Sequence, residues 1–196
     1  RNLNPSEVRE SANRPFQLEL HASSERMYEQ MENFFTPAQT LSEARRASTS
    51  HLIRRASLTL SGVPVIRIYE KGLPHNNGEG FTYDTMNPDQ VIADILERHD
   101  ELKLALARQI CPFRQPVIRD VMWTVSKENA LFSVATAVPA MMPLVSIPWA
   151  VGEFASDTAV LTANQIRMAF MLAAASDRTV GYREQRAEIA SLFAGA

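Results

Sequence analysis

Apolar positions change their period several times along the chain, and each change predicts an element. Phe16, Leu18, Leu20 and Ala22 alternate with Gln17, Glu19 and His21, the period of two that predicts a strand with one covered face. Met27, Tyr28, Met31, Phe34 and Phe35 then recur at helical spacing, with Ser23 or Ser24 placed to cap, so a helix is predicted to about Phe35. Thr36-Pro37 ends it, and Ser42 can cap a further helix to about Ser57. Val63 to Tyr69 predicts a second strand, with Pro64 at its start, where a missing amide donor does least harm. Lys71 to Gly80, rich in Gly and Asn, predicts a loop, and Phe81 to Asp84 a short third strand.

Two helix starts share one design. Asn4-Pro5-Ser6-Glu7 and Asn87-Pro88-Asp89-Gln90 each offer a capping side chain, a proline for the first turn and acidic or amide groups behind it. The first predicts a helix to Asn13. The second, carried by Val91, Ile92, Ile95, Leu96, His99, Leu102 and Leu106, predicts one toward Gln109. Cys111-Pro112 and Gln115-Pro116 bracket a predicted link, after which Val117, Ile118, Val121, Met122, Val125, Asn129, Phe132 and Thr136 line a helix face.

The most apolar stretch runs from Glu128 to Ser176. Ala130 to Gly152 holds no ionisable side chain, and such a run is long enough to cross a bilayer. Pro139, Pro143 and Pro148 interrupt it, however, and predict a break rather than one continuous helix. Gly152 and Glu153 then open a helix to Ala175, on which Glu153, Asp157, Val160, Asn164, Arg167 and Met171 share one direction. The remaining positions are mostly apolar, the pattern of a helix enclosed on most sides. Asp177 to Gly181 predicts a turn and Tyr182 to Phe193 a last helix. The close at Ala194-Gly195-Ala196, just after Leu192 and Phe193, is expected to be a cut.

These patterns predict an α+β or α/β chain. A small mixed sheet with helices occupies residues 1–84, and a predominantly helical region, truncated at its C-terminal end, occupies residues 85–196. The length of 196 residues suits one domain of fair size or two small ones. A net charge of -2 offers no general attraction to nucleic acid, and none is expected as a partner. Cys111 is the single cysteine, which excludes an intrachain disulfide and fits a reducing compartment. The expected location is the cytoplasm, with the cytoplasmic face of the inner membrane as the alternative. No secretory leader is visible, and Arg1 in place of Met marks a processed chain or a fragment.

Candidate chemistry is sparse. A strand, a serine turn and a helix from Leu18 to Tyr28 is where a nucleotide fold places its phosphate loop, which needs glycines for close backbone approach and a lysine for charge. His21-Ala22-Ser23-Ser24-Glu25-Arg26-Met27 has neither, and Glu25 adds a negative charge, so no nucleotide site is expected. Glu153 and Asp157 stand one turn apart on one face, a spacing open to metal binding or acid/base work. His21, His51, His75 and His99 form no ligand-spaced pair, so no metal and no cofactor is expected. The preferred reading of Glu153, Asp157, Asn164 and Arg167 is a structural polar network in which each charge is neutralised by its neighbours. Arg45-Arg46-Ala47-Ser48 and Arg54-Arg55-Ala56-Ser57 match short kinase-site patterns, for which a solvated basic helix face is the plainer account. Trp123 and Trp149 flank the apolar run and are expected in the core rather than at a membrane interface. His99 is expected to be packed, and Cys111 has no partner to activate it.

One resemblance joins these features. Glu128-Asn129-Ala130 after an amphipathic helix, the proline-broken apolar run, Asp157-Thr158-Ala159-Val160-Leu161-Thr162-Ala163-Asn164-Gln165 with Met168, and the closing Gly181-Tyr182 resemble the bacterial helical domain of unknown function that commonly follows a GTPase domain in membrane-associated proteins. The resemblance implies a GTPase-like α/β region before it, and here Leu18 to Tyr28 takes that place without its loop. It carries over no catalytic residue. The function expected is a non-catalytic interaction or scaffold module, with a protein partner or a second copy to bind. Membrane association through residues 130–151 is one alternative, and a metal-dependent or acid/base hydrolase centred on Glu153 and Asp157 is another.

Overall fold

The structure, a computed structural model, describes residues 4–37, 49, 51–55, 62–75, 79–140 and 148–194, with the side chains of 134–140, 148–159 and 192–194 outside that description. The chain divides into two compact units, Glu10–Val117 and Ile118–Ala196 with Arg1–Arg9. The N-terminal part is α/β with a small parallel sheet, and the C-terminal part is predominantly helical. Asn4 caps α1 (Pro5–Ala12) as its sequence predicts, its Oδ1 accepting from Ser6 N at 3.0 Å.

The sheet is built around β1 (Gln17–His21). β2 (Ile53–Arg55), β3 (Val65–Glu70) and β4 (Phe81–Tyr83) join it in the order β2-β1-β3-β4, and every pairing among the described residues is parallel. β2 corrects the helix predicted over 42–57. Ile53-Arg54-Arg55 has no local strand pattern, and its conformation comes from pairing Ile53 with Leu18, Arg54 with Glu19 and Arg55 with Leu20. Residues 42–48, 50, 56 and 57 of that helix lie outside the described residues. A second correction concerns β1 itself, whose alternation predicted one covered face. Leu18 and Leu20 are buried on one side, yet Gln17 and Glu19 are buried on the other, because β1 is one of the two inner strands and Glu19 is flanked there by Arg54 of β2 and Arg67 of β3.

Register assigns the two faces. Leu18, Leu20, Ile66, Ile68, Phe81 and Tyr83 fall on one, and Gln17, Glu19, His21, Arg54, Arg67, Tyr69 and Thr82 on the other. The apolar face receives α2 (Glu25–Phe35), whose Phe34 ring lies 5.4 Å from that of Tyr83 and whose Met31 and Phe35 are buried. α2 is capped by Ser24 and closed at Thr36, as expected.

α3 (Asp89–Arg98) packs on β4. Asn87 does not cap it: the cap position is Pro88, with no side-chain bond. The helix predicted through Gln109 is also interrupted. His99, at φ -121° and ψ 52°, ends α3, a 3-10 turn follows at Asp100–Leu102, and α4 (Lys103–Gln109) resumes. The His99 ring, tilted 5.7 Å from Phe81, is packed as predicted. Instead of a link, Cys111-Pro112 starts α5 (Cys111–Ala140), because a proline in a first turn loses no helical bond. Pro116 gives up one bond within it, while Phe113 and Val117 beside it are buried.

α5 ends at Ala140 and α6 (Pro148–Ala175) begins at the third proline, five residues before the predicted start. Pro148 pre-sets the helical φ at that end. Residues 141–147 lie outside the described residues, and with them the middle of the 130–151 run. Among the described residues no helix is long and apolar enough to cross a membrane. After α6, Asp177 turns the chain at φ 58°, with Arg178 N donating to Ala173 O at 2.8 Å. The last helix, α7 (Arg186–Ala194), packs on α6 and starts later than predicted. Buried Gln185 holds the preceding turn, donating to Thr179 O and accepting from Gly181 N, both at 2.8 Å.

Candidate functional site

In sequence the sheet grows from β1 to β2 on one side and then crosses to β3 on the other. That reversal leaves a crevice beyond the carboxyl ends of β1 and β3, the place where open parallel sheets bind ligands. A cleft of about 510 Å³ occurs there, lined by Leu20, His21, Ala22, Ser23, Ser24, Glu25, Tyr28, Arg55, Tyr69, Leu73 and Pro74.

One wall is a ring stack on the polar face of the sheet. Tyr69 lies between two imidazoles, 4.1 Å from His21 and 4.6 Å from His75 between ring centres, with planes within 18° and 23°. Gly80 presses on the same ring: at φ +135° it has a conformation that side chains rarely adopt, and a Cβ there would fall 2.5 Å from Tyr69 Cε2. His75 Nε2 lies 3.2 Å from Thr82 Oγ1. Beneath the stack, Glu19 Oε1 lies 2.6 Å from His21 Nε2 and 3.6 Å from Arg67 Nε, with Arg54 in register on its other side. A buried carboxylate persists only with such partners.

The opposite wall is the start of α2. Ser24 Oγ accepts from Met27 N at 3.3 Å, and Glu70, the last residue of β3, accepts from Ser23 N at 2.7 Å. Glu25 in the first turn of α2 is paired to Arg55, whose guanidinium carbon lies 4.1 Å over the Tyr28 ring. The Arg55 bond holds the Glu25 carboxyl below its ordinary range, and Glu25 in turn raises the guanidinium. Burial, helped by the charge of Glu32, pushes the Tyr28 phenol up against the opposing pull of Arg55.

This arrangement has little reactive capacity. His21 and His75 stand on opposite faces of one ring and cannot converge on an ion, and among the described residues no group of His, Cys, Asp and Glu could hold a metal. The Ser23 amide and the Arg55 guanidinium, which would meet an anion, already meet carboxylates.

The predicted polar stripe lies elsewhere, on α6. Asn164 Nδ2 donates to Asn129 Oδ1 of α5 at 2.9 Å, and Arg167 lies 4.0 Å from Glu128 of α5, both half-exposed. The side chains of Glu153 and Asp157 lie outside the described residues, as do that of Trp149 and the Arg45-to-Ser48 pattern. Arg54 and Arg55 are on a strand, so a basic helix face does not account for them. Trp123, expected in the core, is 72% exposed on α5: Val121 and Val125 take the buried side, and Trp123 falls on the other. Comparison with family models, with curated proteins and with solved structures gives no match.

Sequence reasoning found the serine turn and missed Arg55, Tyr69 and Glu70. Arg55 could have been found only by recognising β2. Glu70 carries a usable signal, since an acid at the carboxyl end of a strand neighbouring a glycine-free serine turn is placed to take that turn's free amide.

Proposed function

We propose that the chain is a non-catalytic interaction module whose α/β unit has the layout of a nucleotide-binding fold, with the phosphate position taken by its own carboxylates. The observation that carries this reading is the Glu70 carboxylate on Ser23 N at 2.7 Å, at the entrance of α2, where a phosphate oxygen would otherwise be received. Glu25 in the first turn adds a second negative charge at the same helix end, and its pairing removes Arg55 as a phosphate ligand. The resemblance of residues 113–182 to a GTPase-associated helical domain agrees with a GTPase-like layout that has no loop to bind nucleotide. Support for the interaction half comes from α5, where Met122, Trp123 and Leu131 are each at least half exposed. The setting proposed is cytoplasmic, in keeping with a single half-exposed thiol at Cys111. Calorimetric titration of the full chain with GTP and GDP in the presence of magnesium tests the reading. The expected result is no saturable heat and no phosphate release, whereas submillimolar binding of either nucleotide overturns it.

A further inference from the structure

Among the described residues β4 stands at one end of the sheet, and a single bond tells which of its backbone groups face outward. Tyr83 pairs with Glu70, and Tyr83 O accepts from Lys71 N at 3.0 Å, so Tyr83 turns its backbone groups toward β3. In a parallel ladder consecutive residues turn theirs to opposite sides, so Thr82 directs its N–H and C=O away from β3. Neither group has a partner among the described residues. An edge of that kind is a template for another extended chain.

Helix α3 borders this edge with a charged side. Val91, Ile92 and Ile95 are its buried residues, while Asp94, Glu97 and Arg98 stand together on another side, Glu97 and Arg98 exposed and Asp94 half-exposed. A cavity of about 480 Å³ joins strand and helix, lined by Gly80, Phe81, Thr82, Asp94, Glu97 and Arg98. Its charges are not equally available. Arg98 is engaged, its guanidinium carbon 4.6 Å over the Phe81 ring. Asp94 Oδ1 accepts from Gln90 Nε2 at 2.7 Å, and the Glu97 carboxylate has no ion pair among the described residues. The groove therefore offers an outward donor and acceptor from the backbone, and negative charge from the helix beside them.

We infer that this groove receives an extended peptide segment of another protein, paired to the edge at Thr82 and carrying Lys or Arg where it faces α3. Side chains of an added strand alternate: one opposite Thr82 stays on that residue's face, and its neighbours turn to the helix, where Glu97 and Asp94 meet a cation. The inference rests on the interaction-module reading and names the partner's chemistry. Calorimetric titration of the full chain with acetyl-(Thr-Lys)3-amide is the test. Saturable binding with a Kd of about 1 mM or tighter is expected, and acetyl-(Thr-Glu)3-amide should bind at least about tenfold more weakly. N-methylation of the lysine probe's backbone removes its donors, keeps its charge, and is expected to abolish binding. Glu97→Lys should weaken the lysine probe about tenfold. Thr82→Pro removes the outward N–H without touching the β3 ladder, and should abolish binding while the fold persists by far-UV circular dichroism. Should that variant fail to fold, the N-methylated probe decides. No saturable heat with the lysine probe, equal affinity for the two probe charges, or indifference to N-methylation overturns the inference. A dimer of the full chain that Thr82→Pro dissolves makes the occupant a second copy and overturns it as well. A chain that binds neither the lysine probe nor GTP would remove this inference and leave the reading of the cleft standing, and one that binds both would do the reverse.

Discussion

Single side chains hold the cleft in shape, and their costs differ in ways that can be measured. Glu19 is buried between His21 and Arg67, so Glu19→Gln removes the negative charge that two neighbours surround. A loss of about 2 kcal/mol in urea denaturation is expected, because a buried partner is left uncompensated. Glu79, which also approaches Arg67 at 4.0 Å, is an exposed side chain, and Glu79→Gln is expected to stay within about 0.5 kcal/mol of wild type. A similar contrast separates two glycines. Gly72 at φ +98° has open space around it, so Gly72→Ala meets backbone strain alone, about 1 kcal/mol. Gly80→Ala adds a collision with Tyr69, a 2% exposed ring stacked on both faces and unable to move aside. Its expected cost is about 3 kcal/mol, and equal costs for the two glycine variants would contradict the placement of the ring.

At the scale of elements, the two helix starts of one design behave differently, which shows how far local sequence reaches. Asn4 bonds Ser6 N and caps α1, but the matching Asn87 leaves α3 without a side-chain cap. Asn4→Ala is therefore expected to cost about 1 kcal/mol and Asn87→Ala close to nothing in thermal denaturation. Ser24→Ala likewise should cost about 1 kcal/mol, whereas Ser23→Ala should be near neutral, since Ser23 contributes its amide to Glu70. What was legible in the sequence is what neighbours along the chain decide: the period of β1, the Ser24 cap and the start of β3. Elements set by distant partners were not. Ile53-Arg54-Arg55 becomes a strand because β1 offers it an edge, and His99 stops α3 where its ring meets Phe81 from β4. The cleft shared that fate, since Arg55, Tyr69 and Glu70 reach it from two different strands. Trp123 was misplaced for a related reason: periodicity assigns a residue to a helix face, but whether that face is covered is decided by the rest of the molecule.

The molecule as a whole is expected to have a stability plateau bounded by two limbs of different physical origin. On the acid side, Asp84 is held below its ordinary 3.8 by the Lys71 bond and by Met86 N, and Glu25 below 4.5 by Arg55. Glu188 is lowered by its own backbone amide and by Arg178. A carboxyl lowered on folding contributes stability above its unfolded value and loses it as pH falls through the folded one, because the unfolded chain then takes up protons first. On the alkaline side, burial raises the Tyr83 phenol, and burial with Glu32 raises that of Tyr28. There the unfolded chain releases its protons first, so stability present below pH 10 is lost as pH rises through the raised values. Salt separates the limbs. The carboxylates act through solvent-facing ion pairs, which are screened, while the cost of an ionised phenol against apolar surroundings is not. Urea denaturation from pH 3 to 11, at low and at high salt, should show the acid limb becoming shallower with salt and the alkaline limb holding its slope. If salt instead flattens the alkaline limb by more than the Glu32 charge contributes at Tyr28, the phenols are governed by charge rather than by burial, and the packing of Tyr83 described above is wrong.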